Sequence, residues 1–253
     1  MTGDQQCPAL TPVPGGQTFT LVVHGEAVAD VRLPMGGRYN ALNALAVAAV
    51  VVAALSSASF RMVGPIYGQE VGLTAGQIAW FLSAFVLGGA LAQFPVGWLA
   101  DKFDRRWVLI WLSAASMLSC AVTVMSAGMG TQAIFLAATF FGLTTFPIYS
   151  VAASHAHDFA SSSERVELSA ALMFWFAVGA IFAPYIASVL IEGFGPAALF
   201  TMISVGHVVL VLFGLTRMRA RPTATKRTPY VYAPRTSFTI GRLMRRSRER
   251  DAP

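Results

Sequence analysis

Residues 85–110 read FVLGGALAQFPVGWLADKFDRRWVLI. Two uncharged apolar runs meet there at a short turn in which Asp101, Lys102, Asp104, Arg105 and Arg106 are crowded together. About twenty apolar residues in a helix, rising 1.5 Å each, cover the roughly 30 Å of a bilayer's hydrocarbon. The turn therefore marks a membrane edge, and the runs on either side read as two antiparallel spans.

Working outward, apolar stretches of the same length recur, each bounded by Gly, Pro or charge. They predict six transmembrane helices at approximately 41–66, 78–99, 107–127, 132–153, 168–191 and 197–216. The composition agrees. The 253 residues are 55% hydrophobic and only 12% charged, with a mean hydropathy of +0.61, far from soluble averages. The short gaps make successive helices neighbours in one bundle. The expected fold is an all-α membrane protein with three parts: a loosely ordered polar leader over 1–39, the bundle over 40–217 and a basic tail over 218–253.

Charge gives the orientation. Lys102, Arg105 and Arg106 follow the second span, Arg165 the fourth, and Arg217, Arg219 and Arg221 the sixth, whereas GQEVGLTAG, SAGMGTQ and EGFGPA on the other side hold no Lys or Arg. The basic side is cytoplasmic by the positive-inside bias, which puts both termini in the cytoplasm and agrees with Arg32 and Arg38 before the first span. The +6 net charge is thus a topology signal, and nucleic acid is not expected as a partner. The tail segment RLMRRSRER either grips anionic headgroups or is a solvated stretch that enforces topology. In the leader, TFTLVVHGEAVADVRL has strand-like composition around His24 and Gly25 and could form a small hairpin. No basic segment followed by an apolar core opens the chain, so no signal peptide is expected.

The turn also carries a resemblance. Gly97, Leu99, Ala100, Asp101, Lys102, Asp104, Arg105 and Arg106 stand at the positions of the GxLaDrxgRR loop of the major facilitator superfamily. Asp104 takes a place where Gly is common. GPIYGQEVGLTAGQIAWF, FPIYSVAASHAHDF and YVYAPRTS are similar to the second half of the YcaD-like bacterial members. The chain resembles spans seven to twelve of a twelve-span transporter, starting at its own Met1 without the first six. In the family the loop is a cytoplasmic gate latch whose Asp meets a helix of the opposite half. The resemblance therefore implies a partner bundle, either a second copy or a separately encoded half.

The loop also makes sense from its own chemistry. Gly97 suits a tight membrane-edge turn, Asp101 or Asp104 suits the start of the third span, and Arg105, four residues past Asp101, is placed to pair with it in a helix.

Polar groups inside spans are costly and are candidates for function. Arg61 either attracts an anionic substrate or a proton-linked carboxylate, or it snorkels to the outer headgroups. Gln93, near Pro95, either meets substrate or bridges two helices. Gly88 and Gly89 fit close helix contact better than motion. His207, alone in the last span, is a proton carrier or a packing histidine. His155, His157 and Asp158 fit a solvated cluster at the cytoplasmic edge better than a proton relay. Two residues apart on a helix do not share a face, which argues against a metal pair. The fifth span's Phe174, Trp175, Phe176, Phe182, Pro184 and Tyr185 suit packing and lipid contact better than an aromatic substrate wall.

Cys7 and Cys120 give no disulfide framework or ligand spacing. No nucleophile with its base, no phosphate loop and no zinc spacing appears. The expectation is a non-enzymatic bacterial inner-membrane protein without cofactor or metal, contacting lipid and a small-molecule substrate. It acts as a half-length secondary transporter rocking against a second six-helix bundle, with protons as a candidate coupling ion, or alternatively as a membrane scaffold or interaction subunit.

Overall fold

The computed structural model describes residues 11–13, 16–23, 26–33, 37–160 and 164–220. It divides at Ala44 and Leu45 into two compact units. In the first, β1 (Thr11–Val13), β2 (Gly16–Val23) and β3 (Glu26–Leu33) pair antiparallel in the order β1-β2-β3, with a bulge between Leu21 and Val22. The strand-like stretch of the leader thus supplies β2 and β3, and the short Thr-Pro-Val segment before it adds a strand that composition did not announce. His24 and the arginine-rich tail lie outside the described residues.

The second unit is built from α1 (Gly37–Glu70) from Leu45 onward, α2 (Ala75–Lys102), α3 (Arg105–Ser126), α4 (Thr131–His157), α5 (Arg165–Phe194) and α6 (Ala198–Ala220). All six are long and apolar enough to cross a membrane, the first over Ala44–Glu70 and the last over Ala198–Met218. The chain is a multi-pass membrane protein whose spanning part is all-α. The helices outrun the apolar stretches by several residues because a helix in lipid satisfies its own backbone, and polar flanks such as Ser154 to His157 continue it.

The ends are set by side chains. Thr74 Oγ1 accepts from the Gln77 backbone N–H at 3.4 Å while Gln77 Oε1 accepts from the Thr74 N–H at 2.9 Å, closing a capping box at the start of α2. Asp104 caps α3, its Oδ1 accepting from the Arg106 N–H at 3.0 Å.

Without a hydrophobic drive between helices in lipid, packing depends on close fit and small residues. The tightest seam joins α2 and α4. A Cβ on Gly88 would stand 2.0 Å from the Thr139 carbonyl oxygen, and one on Gly142 would stand 1.9 Å from the Phe85 carbonyl oxygen. Neither position admits a side chain unless the backbones separate. The core has two layers. Toward the charged ends, Ala46, Ala49, Ala53, Ala152 and Ala156 pack with Val108 and Leu109. In the other half, Phe60, Phe81, Phe85, Phe141 and Phe200 form an aromatic cluster with centroids as close as 4.3 Å.

A stripe on α3, Ser113, Ser116, Ser119, Thr123 and Ser126, is fully turned inward. Most of its hydroxyls donate back to carbonyls three or four residues earlier, and Ser119 also meets Thr144 of α4 at 3.1 Å. α4 is the most enclosed helix, with 67% of its apolar window buried, and α5 the least, with 22%.

Candidate functional site

At one end of the bundle, the ends of α2 and α4 and the start of α3 converge on Arg105. Its side chain is 1% exposed. Nη1 donates to Asp158 Oδ1 at 2.6 Å and to the Ser154 carbonyl at 2.8 Å, and Nη2 donates to Asp101 Oδ1 at 3.2 Å. A buried guanidinium tolerates its lost hydration only when fixed oxygens replace the water. Here they come from three places: a carboxylate on α2, a carboxylate just past α4, and a carbonyl in the last turn of α4, where the helix dipole is negative. Arg106 closes a separate local pair with Asp104, Nη2 to Oδ2 at 2.7 Å with Nε 3.2 Å from both oxygens. Lys102 lies 4.7 Å over the Trp98 ring.

Three expectations change at this end. Gly97 is not in the turn; it is buried inside α2, five residues before the helix ends at Lys102. Asp101 and Arg105 do pair, yet not along one helix, because α2 stops at Lys102 and α3 starts at Arg105. The group read as a solvated His155, His157 and Asp158 cluster is enclosed and split. Asp158 is 4% exposed and belongs to Arg105. His155 is buried edge-on to Phe159 at 5.4 Å, and His157 Nε2 meets Ser169 Oγ of α5 at 3.2 Å.

Sequence reasoning missed the Asp158 partner. A signal was present: two arginines and a lysine share the turn with two aspartates, so an arginine there is short of a carboxylate, and Asp158 sits at the same membrane edge.

The interior candidates fall in two places. Arg61 of α1 is exposed, its Cζ 5.4 Å over the ring of Phe146 on α4. That ring also lies against Gly89 of α2, where a Cβ would stand 2.3 Å from it. One turn along α4, Ser150 Oγ donates to Gln93 Oε1 of α2 at 3.4 Å, so Gln93 bridges two helices. Phe146 and Ser150 thus bring Arg61 and Gln93 to one stretch of α4. An open depression of about 460 Å³ on α2 is lined by Leu82, Ser83, Val86, Leu87 and Ala90.

His207 is elsewhere, fully buried between α6 and α1. Ser56 Oγ lies 2.9 Å from the Val52 carbonyl and 3.1 Å from His207 Nε2, and His207 Nδ1 has no hydrogen-bond partner among the described residues. The aromatic residues expected to pack or face lipid include Phe174, Phe182 and Tyr185, which α5 holds on the outside. Among the described residues no three His, Cys, Asp or Glu side chains gather as a metal site.

The family model of the Major Facilitator Superfamily matches residues 46–249. Two curated proteins titled uncharacterized MFS-type transporter YcaD, from Salmonella paratyphi B and Salmonella newport strains, are each 31% identical over 150 residues, 58% of this chain and 38% of theirs. Among solved structures, the POT family transporter PepTSo superposes with a TM-score of 0.62 at 17% identity, covering 77% of this chain and 40% of that one. An auto-inhibited POT family peptide transporter gives a TM-score of 0.58 at 16% identity, covering 77% and 39%. The chain spans about two fifths of the length of these relatives.

Proposed function

Because the chain belongs to the major facilitator superfamily, we propose that its six-helix bundle is one half of a secondary transporter for a small solute, working by rocking against a second six-helix bundle. That bundle is a second copy or a separately encoded half, and a proton gradient is the drive to test first. In this reading the charged ends of the bundle face the cytoplasm with both termini, and the membrane is the bacterial inner membrane.

The observation that carries the reading is the graded exposure around Arg105. Asp158 and Asp104 are 4% and 18% exposed, whereas Asp101 is 46% exposed and holds Arg105 by the longer 3.2 Å contact. A latch needs one member fixed in its own bundle and one able to change partners, and Arg105 with Asp158 and Asp101 divide those tasks. Asp101 then engages the opposite bundle when the cytoplasmic side closes, while Arg105 holds α2, α3 and α4 together as one rocking body.

The test is uptake of a panel of labelled small solutes into vesicles carrying the protein, with and without a proton gradient. Saturable uptake that Asp101→Asn lowers at least tenfold, at unchanged protein level, is the expected outcome. If no solute moves, or if Asp101→Asn leaves assembly and phenotype intact, the bundle acts as a scaffold or interaction subunit instead.

A further inference from the structure

We infer that the Arg61 face binds the charged end of the solute, and that the solute is an organic anion with a flat apolar body. This rests on the transporter reading and deepens it. Of the Lys and Arg side chains in residues 45–218, Arg61 is the one that lies more than three residues inside a helix end. It stands nine residues before the last residue of α1, about 13 Å at 1.5 Å per residue. A guanidinium at such depth is costly in hydrocarbon, and groups of this kind face a water-filled cavity or a bound partner.

The geometry runs against escape to the nearer headgroups. Helical side chains lean toward the N-terminus of their helix, so Arg61 leans away from the near end of α1. The backbone position of its ring partner agrees with that direction. Phe60, its neighbour, meets Phe141 at 5.2 Å, and α4 runs antiparallel to α1. Phe146, five residues beyond Phe141, therefore lies deeper in the bundle.

The bundle does not neutralise the charge. No Asp or Glu of residues 45–218 lies more than three residues inside a helix end, and among the described residues the contact recorded for Arg61 is the Phe146 ring. Cζ lies 5.4 Å over that ring, and a guanidinium carries its N–H donors as a fork in its own plane. Such a fork matches the paired oxygens of a carboxylate, sulfonate or phosphate.

The surroundings suit an apolar body. Phe146 packs edge-on to Phe85 at 4.9 Å. Leu82 lies 3.6 Å from where a Cβ on Gly64 would stand, one turn along α1 from Arg61, and it also lines the depression on α2.

Three probes of one shape test this: benzenesulfonate, neutral benzenesulfonamide and cationic phenyltrimethylammonium. Equilibrium dialysis of each labelled probe against the full chain in phosphatidylcholine nanodiscs reads the binding. Saturable benzenesulfonate binding, at least tenfold tighter than either other probe, is expected. Arg61→Gln should weaken it tenfold or more, Arg61→Lys by less, and Phe146→Leu should weaken benzenesulfonate but not methanesulfonate.

Absence of saturable benzenesulfonate binding, preference for another probe, or an Arg61→Gln protein of native helix content that binds like the parent would overturn the inference. Loss of binding when phosphatidylglycerol is added would also overturn it, assigning Arg61 to a lipid headgroup. Benzenesulfonate binding without flux would sink the transporter reading and leave this one standing. Cation flux indifferent to Arg61→Gln would do the reverse.

Discussion

Arg105 is held by oxygens from two neighbouring helices and their ends, and the two carboxylates among them differ in kind. Asp158 is enclosed and 2.6 Å away, and Asp101 is half exposed at 3.2 Å. Removing one member of a buried pair strands the other charge and costs roughly 3 kcal/mol or more, whereas an exposed pair is worth about 0–1 kcal/mol. Asp158→Asn should therefore lower stability in lipid by roughly 3 kcal/mol, and Asp101→Asn by less than about 1 kcal/mol. Chemical denaturation of both variants in mixed micelles checks the order. Equal losses would mean that Arg105 is not divided between a fixed and an exchangeable partner. The transport defect expected of Asp101→Asn is then a gating effect and not a folding one.

The sequence allowed the Asp101 pairing to be read because its members are four residues apart. Asp158 is 53 residues from Arg105, and only the packing of α4 against α3 brings them together. His155, His157 and Asp158 look like one polar cluster in sequence, yet helical geometry sends them to three different neighbours.

At the scale of elements, the six spans were legible because hydropathy is a one-dimensional signal and lipid leaves little choice but helix. Their ends were less so, since polar residues such as Gln69, Glu70 and His157 extend a helix without adding hydropathy. The α2–α4 seam was half legible: the Gly88–Gly89 pair announced a close contact but not its partner. The inward stripe of hydroxyls on α3 was not read, although its spacing of three and four is visible in the sequence. Ser and Thr can bond their own helix, so polarity and burial are compatible there.

The seam gives a prediction for the element. Gly88→Ala and Gly142→Ala each place a methyl within 2.0 Å of a backbone oxygen on the other helix, so each should cost about 3 kcal/mol through overpacking. Gly76→Ala, with nothing within 4 Å, should be neutral or slightly stabilising. Thermal inactivation of the three variants in lipid separates these outcomes, and tolerance of Ala at position 88 would mean that α2 and α4 do not meet as closely as described.

At the scale of the molecule, the six-helix bundle carries a half-exposed aspartate at its charged end, Asp101, and inside α1 a guanidinium, Arg61, whose contact among the described residues is the Phe146 ring. Both features are intelligible if a second bundle stands opposite. Asp101 can then exchange its Arg105 contact for a group of the opposite bundle, and Arg61 opens into a space between bundles and not into lipid. The mass of the complex taken from its membrane directly into nanodiscs tests this most directly. The account predicts a particle holding twelve spans, at least about twice the 27.0 kDa of the chain if the partner is a copy or a half of similar size. A particle holding a single 27.0 kDa bundle and nothing else would contradict it.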